Sequence, residues 1–209
     1  MITLVLGPVR SGKSMRAAVL ARASGRPVIA AVTAAIDPSD AEMVARVERH
    51  RRDRPPEWTV VETARETALP QLIREAPADS CVLVDALGTW LAALLVACDE
   101  RDAPAILERH SAELESALEA ATADVILVAE ETGWGVVPAS VLGRAFRDAL
   151  GRLSRRLAVQ ADTVELVVAG YAVDLRRIGT PIAATERSVD AQTRQPGEED
   201  SNPAGGAAR

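Results

Sequence analysis

Lysine is almost absent from this 209-residue chain: Lys13 is the sole example, and every other cationic side chain that is always charged is arginine. Aromatic residues are nearly as scarce, at 2%, so the core implied by a 48% hydrophobic content must be built from Ala, Val and Leu. No basic surplus exists either. A net charge of -6 leaves nothing to neutralise a polyphosphate backbone, which excludes a general nucleic-acid binder. The longest apolar run, residues 90–98, is about half of a membrane span, and the first residues carry no cationic segment followed by a cleavable apolar stretch. Cysteine is limited to Cys81 and Cys98, which read as free thiols of a reducing compartment. These absences predict a soluble, cytoplasmic protein of one ordinary-sized domain, with no membrane span.

The one lysine stands in Gly7-Pro8-Val9-Arg10-Ser11-Gly12-Lys13-Ser14. This fits G-x-x-x-x-G-K-S, the phosphate-binding loop, in which backbone N–H groups wrap phosphates and the lysine reaches the outer oxygens. Arginine would replace it poorly, because a planar fork is bulkier than a compact ammonium. The context agrees: residues 2–6 form an apolar, strand-like run ending at Gly7, and residues 14–23 suit a helix. Further strand-like runs recur at 28–32, 81–84, 125–128 and 164–168. They are short, unalternating and rich in β-branched residues, as strands covered on both faces should be. Helices are expected between them, at 39–52, 66–75, 86–98, 104–121 and 140–160. The fold class predicted is therefore α/β, a P-loop NTPase (RecA-like) with a mostly parallel sheet and helices on both faces. Residues 1–180 form the domain; the polar stretch 181–209 is expected to be a disordered C-terminal tail.

Val82-Leu83-Val84-Asp85 is an apolar strand ending in a carboxylate. In phosphate-loop proteins such an acid commonly holds Mg²⁺, with the loop hydroxyl, here Ser14, as the other protein oxygen. Asp85 would equally suit the cap of the helix that follows. A third element, residues 42–58, sets His50 among Arg46, Arg49, Arg51, Arg52 and Arg54 before two prolines. A solvated helix face would look similar. A neutral imidazole can also attack phosphorus while flanking guanidiniums hold the oxygens, and nearby cations keep it unprotonated. His110, the other histidine, reads as a surface position on an amphipathic helix and is assigned no chemistry. Trp58 would either pack against a base or anchor the loop after the helix. Gly133 and Gly135 permit a close ligand approach or a simple turn.

Taken together these segments resemble the bifunctional adenosylcobinamide kinase/adenosylcobinamide-phosphate guanylyltransferase family, over residues 2–177. The family's second signature, E-M-x-x-R-I-x-x-H-R-x-x-R-P-x-x-W-x-x-x-E, is met at Glu42, Met43, Arg46, Val47, His50, Arg51, Arg54, Pro55, Trp58 and Glu62. Residues 84–91, 133–138 and 142–148 are similar to its later blocks. The resemblance implies two reactions: phosphorylation of adenosylcobinamide by a nucleoside triphosphate, then transfer of GMP from GTP, through a guanylylated His50, to adenosylcobinamide phosphate. It implies catalytic roles for His50, Lys13 and Asp85. Nucleotide contacts would fall on Gly7, Pro8, Val9, Arg10, Ser11, Gly12, Lys13, Ser14, Thr33, Ala34, Ala35, Arg51, Arg52, Asp53, Arg54 and Glu62. GTP, with ATP as an alternative kinase-step donor, and Mg²⁺ on Ser14 and Asp85 would be the cofactors, and a trimer the assembly. Thr33–Ala35 follow a strand at its carboxyl end, where open α/β sheets bind ligands, and Glu62 could accept from guanine N1–H and its amine. Pro8 and Glu130 depart from the family, which usually has a glycine and an amide there. The competing readings are a kinase without nucleotidyl transfer, and a nucleotide switch, for which no N-K-x-D motif is found.

Overall fold

The computed structural model describes residues 1–34, 41, 44, 45, 48, 52, 54–63, 68–96 and 98–182. The chain divides into two units, Met1–Gly179 and Thr180–Arg209. Of the second, residues 180–182 are described and carry no helix or strand, so nearly all of the expected tail lies outside the described residues. Among the described residues no helix is long and apolar enough to cross a membrane.

The first unit is a seven-stranded sheet of order β3-β2-β4-β5-β1-β6-β7. Its strands are β1 (Ile2–Gly7), β2 (Val28–Val32), β3 (Thr59–Glu62), β4 (Cys81–Asp85), β5 (Asp124–Glu130), β6 (Thr163–Val168) and β7 (Tyr171–Asp174). All pairings are parallel except β6 with β7. The helices are α1 (Lys13–Ala23), α2 (Ala68–Glu75), α3 (Leu87–Leu95), α4 (Ala103–Glu119), α5 (Val141–Gln160) and α6 (Leu175–Ile178). Ala41, Val44, Ala45, Glu48 and Arg52 are also helical, within the expected 39–52 segment.

The unalternating strand sequences are explained by two cores. Leu4, Leu6, Val82, Val84, Val125 and Leu127 face a large cluster with Trp90, Leu91, Leu107, Leu114, Leu150 and Leu153. Val5, Leu83, Ile126 and Val128 face a smaller one with Ala17, Ala21 and Trp58. Both faces of the central strands are thus dry, which favours continuous apolar runs over alternation. The expected α/β class is the one observed. Alanines on α1 let that helix lie close to the sheet, and Trp58 fills the space beside it, 8% exposed, with the Arg22 guanidinium 5.9 Å from its ring centre. Of its two candidate roles, the anchor is the one the packing displays.

Three expectations need correction. Five strands were expected and seven are present: β3 and β7 have four residues each, lie at the sheet edges and are largely exposed, so neither leaves an apolar run. β7 follows a two-residue hairpin at Ala169-Gly170, where φ is 51° and 83°, the sign that primed turns require. The helix expected over 86–98 ends at Leu95. His110, expected at the surface, is 1% exposed, because α4 packs between α2 and α5 and buries Leu107, His110, Ser111 and Leu114 on one wide stripe. Arg109 can only donate to Nε2, at 2.9 Å, so Nδ1 carries the proton and donates to Glu113 at 3.1 Å. This histidine is a satisfied structural group.

Candidate active site

Parallel pairing gathers the chemistry-bearing residues at one end of the sheet. Glu62 and Asp85 both pair with Val32, Asp85 also pairs with Val128, and Gly7 pairs with Glu130. Each stands at or beside the carboxyl end of its strand, the end at which open α/β sheets take ligands. The phosphate loop leaves β1 there. Arg10 and Gly12 have φ of 57° and 99°, and a left-handed residue next to the helix start makes a concavity of amides suited to anions. Gly12 is needed for that conformation. The loop is braced from behind: Glu131 N–H donates to Gly7 C=O at 3.0 Å, and Gly170 N–H to Ser11 C=O at 2.9 Å. The bidentate contact of Arg16 with Glu165, at 2.7 and 2.6 Å, fixes α1 against β6.

Lys13 opens α1 and is only 8% exposed. Its ammonium has three protons to donate, and among the described residues it makes one long contact, to Pro8 C=O at 3.3 Å. With one long bond, the ammonium has protons left to donate to anionic oxygen. Ser14, the next residue, donates its hydroxyl to Asp85 Oδ1 at 3.0 Å. Asp85 does not cap α3; the N-cap is Ala86. That helix start is instead satisfied by Thr33, Thr89 and Glu130. Ala86 N–H reaches both threonine hydroxyls, at 3.1 and 3.2 Å, and Thr33 Oγ1 donates to Ala86 C=O at 2.7 Å.

Gly88 N–H donates to Glu130 Oε2 at 2.9 Å, and a Cβ on Gly88 would collide with that carboxylate. Burial pushes the Glu130 carboxyl above the usual range; Lys13 and the backbone donors pull it down, and Asp85 adds repulsion. The loop cation is thus flanked by two acids, Asp85 and Glu130. Glu130 was legible in the sequence only as a departure from the family's amide. Its placement at the phosphate loop follows from β5 lying between β1 and β4.

The remaining expected site residues divide. Arg54 is half-buried; desolvation lowers its pKa while attraction to Asp85 raises it, which brings the guanidinium within electrostatic reach of the site. Ala34 is half-buried just beyond β2, whereas Thr33 is wholly buried and spends its hydroxyl on Ala86 and Thr89. Glu62 and Arg52 are exposed. A Cβ at Gly133 or Gly135 would meet nothing within 4 Å, so the chain's own packing requires neither glycine. Ala35, His50, Arg51 and Asp53 lie outside the described residues.

Comparison with known proteins supplies what the geometry alone does not. Residues 3–175 match the family model described as cobinamide kinase / cobinamide phosphate guanyltransferase. The chain is 37% identical over 186 residues to the bifunctional adenosylcobalamin biosynthesis protein CobU of Escherichia coli K12, covering 84% of this chain and all of that protein. It is 39% identical over 180 residues to CobP of Pseudomonas aeruginosa, covering 86% and 98% of the two chains, and 35% identical over 185 residues to CobU of Salmonella typhimurium, covering 84% and 100%. Among solved structures, a RadB recombinase aligns with a TM-score of 0.43 at 17% identity, covering 79% of this chain and 73% of its own.

Proposed function

The chain belongs to the cobinamide kinase / cobinamide phosphate guanyltransferase family, and on that premise we propose that one phosphate-loop site serves both of its reactions. In the kinase step the hydroxyl of the aminopropanol arm of adenosylcobinamide attacks the γ-phosphorus of a nucleoside triphosphate. The bond to the β-bridging oxygen breaks, and the hydroxyl proton passes to a base, the role proposed for Asp85 at the end of β4 beside Ser14. Lys13 and the loop amides neutralise charge that grows on the phosphate oxygens. In the transferase step His50 attacks the α-phosphorus of GTP, pyrophosphate leaves, and the resulting phosphoramidate is cleaved by an oxygen of cobinamide phosphate. The products are adenosyl-GDP-cobinamide and a free imidazole.

The donor set fits Mg²⁺. Ser14 Oγ and Asp85 Oδ1 are hard oxygens 3.0 Å apart beside the loop lysine, and a hydroxyl with one carboxylate is the sparse protein contribution that this ion takes when phosphates complete its shell. Among the described residues no cluster of three or more acidic, histidine or cysteine side chains could hold a metal by itself, so the ion would arrive with its nucleotide. An ion held by Ser14 and Asp85 would supply Lewis-acid stabilisation of phosphate charge. GTP supplies the guanylyl group, with ATP as an alternative donor in the first step. A homotrimer in the cytoplasm completes the reading; exposed Tyr171 and Ile178, 78% and 73% accessible, support assembly on that side of the subunit.

The observation that carries the reading is the buried Lys13, with donors to spare among the described residues, beside the Ser14–Asp85 contact. Incubation with α-labelled GTP should leave an acid-labile, base-stable GMP adduct, and His50→Asn should remove it. A variant that labels fully would leave only the kinase; label from the γ-phosphate would point the same way.

A further inference from the structure

A cavity of about 270 Å³ opens between α5, the carboxyl ends of β1 and β5, Val164 near the start of β6 and Leu175 of α6. One stripe of α5 forms a wall: Arg147, Gly151, Ser154, Arg155 and Ala158 recur at helical spacing. Leu6, the residue before the loop's first glycine, lies in the opposite wall with Glu130. The cavity therefore adjoins the phosphate loop from the face away from α1, and the family function leaves it without a role.

Three observations point to an anionic occupant. Arg155 is exposed and makes no ion pair among the described residues. Arg147 bonds only its neighbour Asp148, through Nε and Nη2 to one half-exposed carboxylate oxygen, the kind of surface pair that is cheaply exchanged. Ser154 lines the cavity and, among the described residues, its hydroxyl makes no protein hydrogen bond, so it is free to bond an occupant. Gly151 sits between the arginines, and a Cβ there would meet nothing within 4 Å. Glycine in a helix interior is unfavourable, so its absence of bulk serves the opening rather than the packing. The wall also carries two acids, Glu130 and Glu131, on the side opposite the α5 arginines. Beyond the mouth, the loop after β5 exposes Trp134, Val136 and Val137, at 65%, 94% and 60%. An apolar rim beside a wall that presents two guanidiniums matches a large, partly apolar ring carrying one short phosphorylated arm.

We propose that this cavity holds the phosphomonoester arm of the acceptor corrinoid, with Arg147, Arg155 and the Ser154 hydroxyl on its oxygens and the Trp134 loop against the macrocycle. The inference rests on the reading above for the acceptor's identity. Corrinoid absorbance in equilibrium dialysis gives affinities for cobinamide phosphate and for unphosphorylated cobinamide without any turnover. Arg147→Gln, Arg155→Gln and Ser154→Ala should each weaken the phosphate form by about tenfold, the loss of one charge-assisted contact. They should change the unphosphorylated form by less than about twofold. Arg152→Gln, exposed on the same helix outside the cavity, should change neither. Equal losses for both corrinoids, or none, overturn the assignment. Chasing the wild-type GMP adduct with cobinamide phosphate separates the two claims: discriminating binding without release of GMP would keep this site and sink the transferase reading.

Discussion

Glu130→Gln tests the electrostatic account of the phosphate loop. The glutamine keeps an oxygen for Gly88 N–H, so the 2.9 Å contact at the start of α3 survives and the charge alone is removed. Burial is the largest influence on this carboxyl, Lys13 opposes it and Asp85 reinforces it, and the net direction is upward. An acid whose folded pKa exceeds its unfolded value costs nothing while both states are protonated. Stability then falls as pH climbs from the ordinary carboxylate range through the raised folded value, where the fold must accept an unwelcome charge. A tenfold change in proton affinity between the two states is worth about 1.4 kcal/mol. About 1 kcal/mol shifts the midpoint of a domain of this size by roughly 2–4 °C. Differential scanning fluorimetry or calorimetry without nucleotide should therefore place Glu130→Gln about 2–5 °C above the parent at pH 8, the gap closing towards pH 4.5. A variant that melts below the parent at pH 8, or a gap that ignores pH, would refute the reasoning. The attraction to Lys13 would then outweigh desolvation.

Two further outcomes follow from the packing. Trp58→Ala should cost about 3–5 kcal/mol, the range for deleting a large buried aromatic, read as a lower midpoint in urea; a loss under about 1 kcal/mol would mean that the α1 face of the sheet does not depend on this residue. Arg16→Ala should cost about 1–3 kcal/mol, because Glu165, 7% exposed, would keep its burial and lose both guanidinium contacts. A loss under about 0.5 kcal/mol in urea denaturation would contradict it.

The central strands and most helices were legible because both faces of β1, β4 and β5 are covered, and a strand buried on both sides writes itself as a continuous apolar run. The phosphate loop was legible for a different reason: gripping a phosphate needs particular residue types at fixed spacing along one stretch of chain. β3 and β7 were not legible, since an exposed four-residue edge strand is defined by the neighbour it pairs with and not by its own composition. His110 misled because a lone polar residue on a helix gives no sign of how wide the buried stripe will be. Thr33, for which the resemblance implies a nucleotide contact, also uses its hydroxyl to hold the first peptide of α3, a role that only the strand order makes visible.

The sequence by itself determined the phosphate-loop pattern between a strand and a helix, and the family to which its histidine signature points, because these depend on local order along the chain. Only the tertiary structure decided that Glu130 stands at the phosphate loop, that Asp85 meets Ser14 instead of capping a helix, and that Arg147, Arg155 and Ser154 share one cavity. Those relations join residues on separate strands and helices, and strand order and parallel register, not sequence proximity, bring them together.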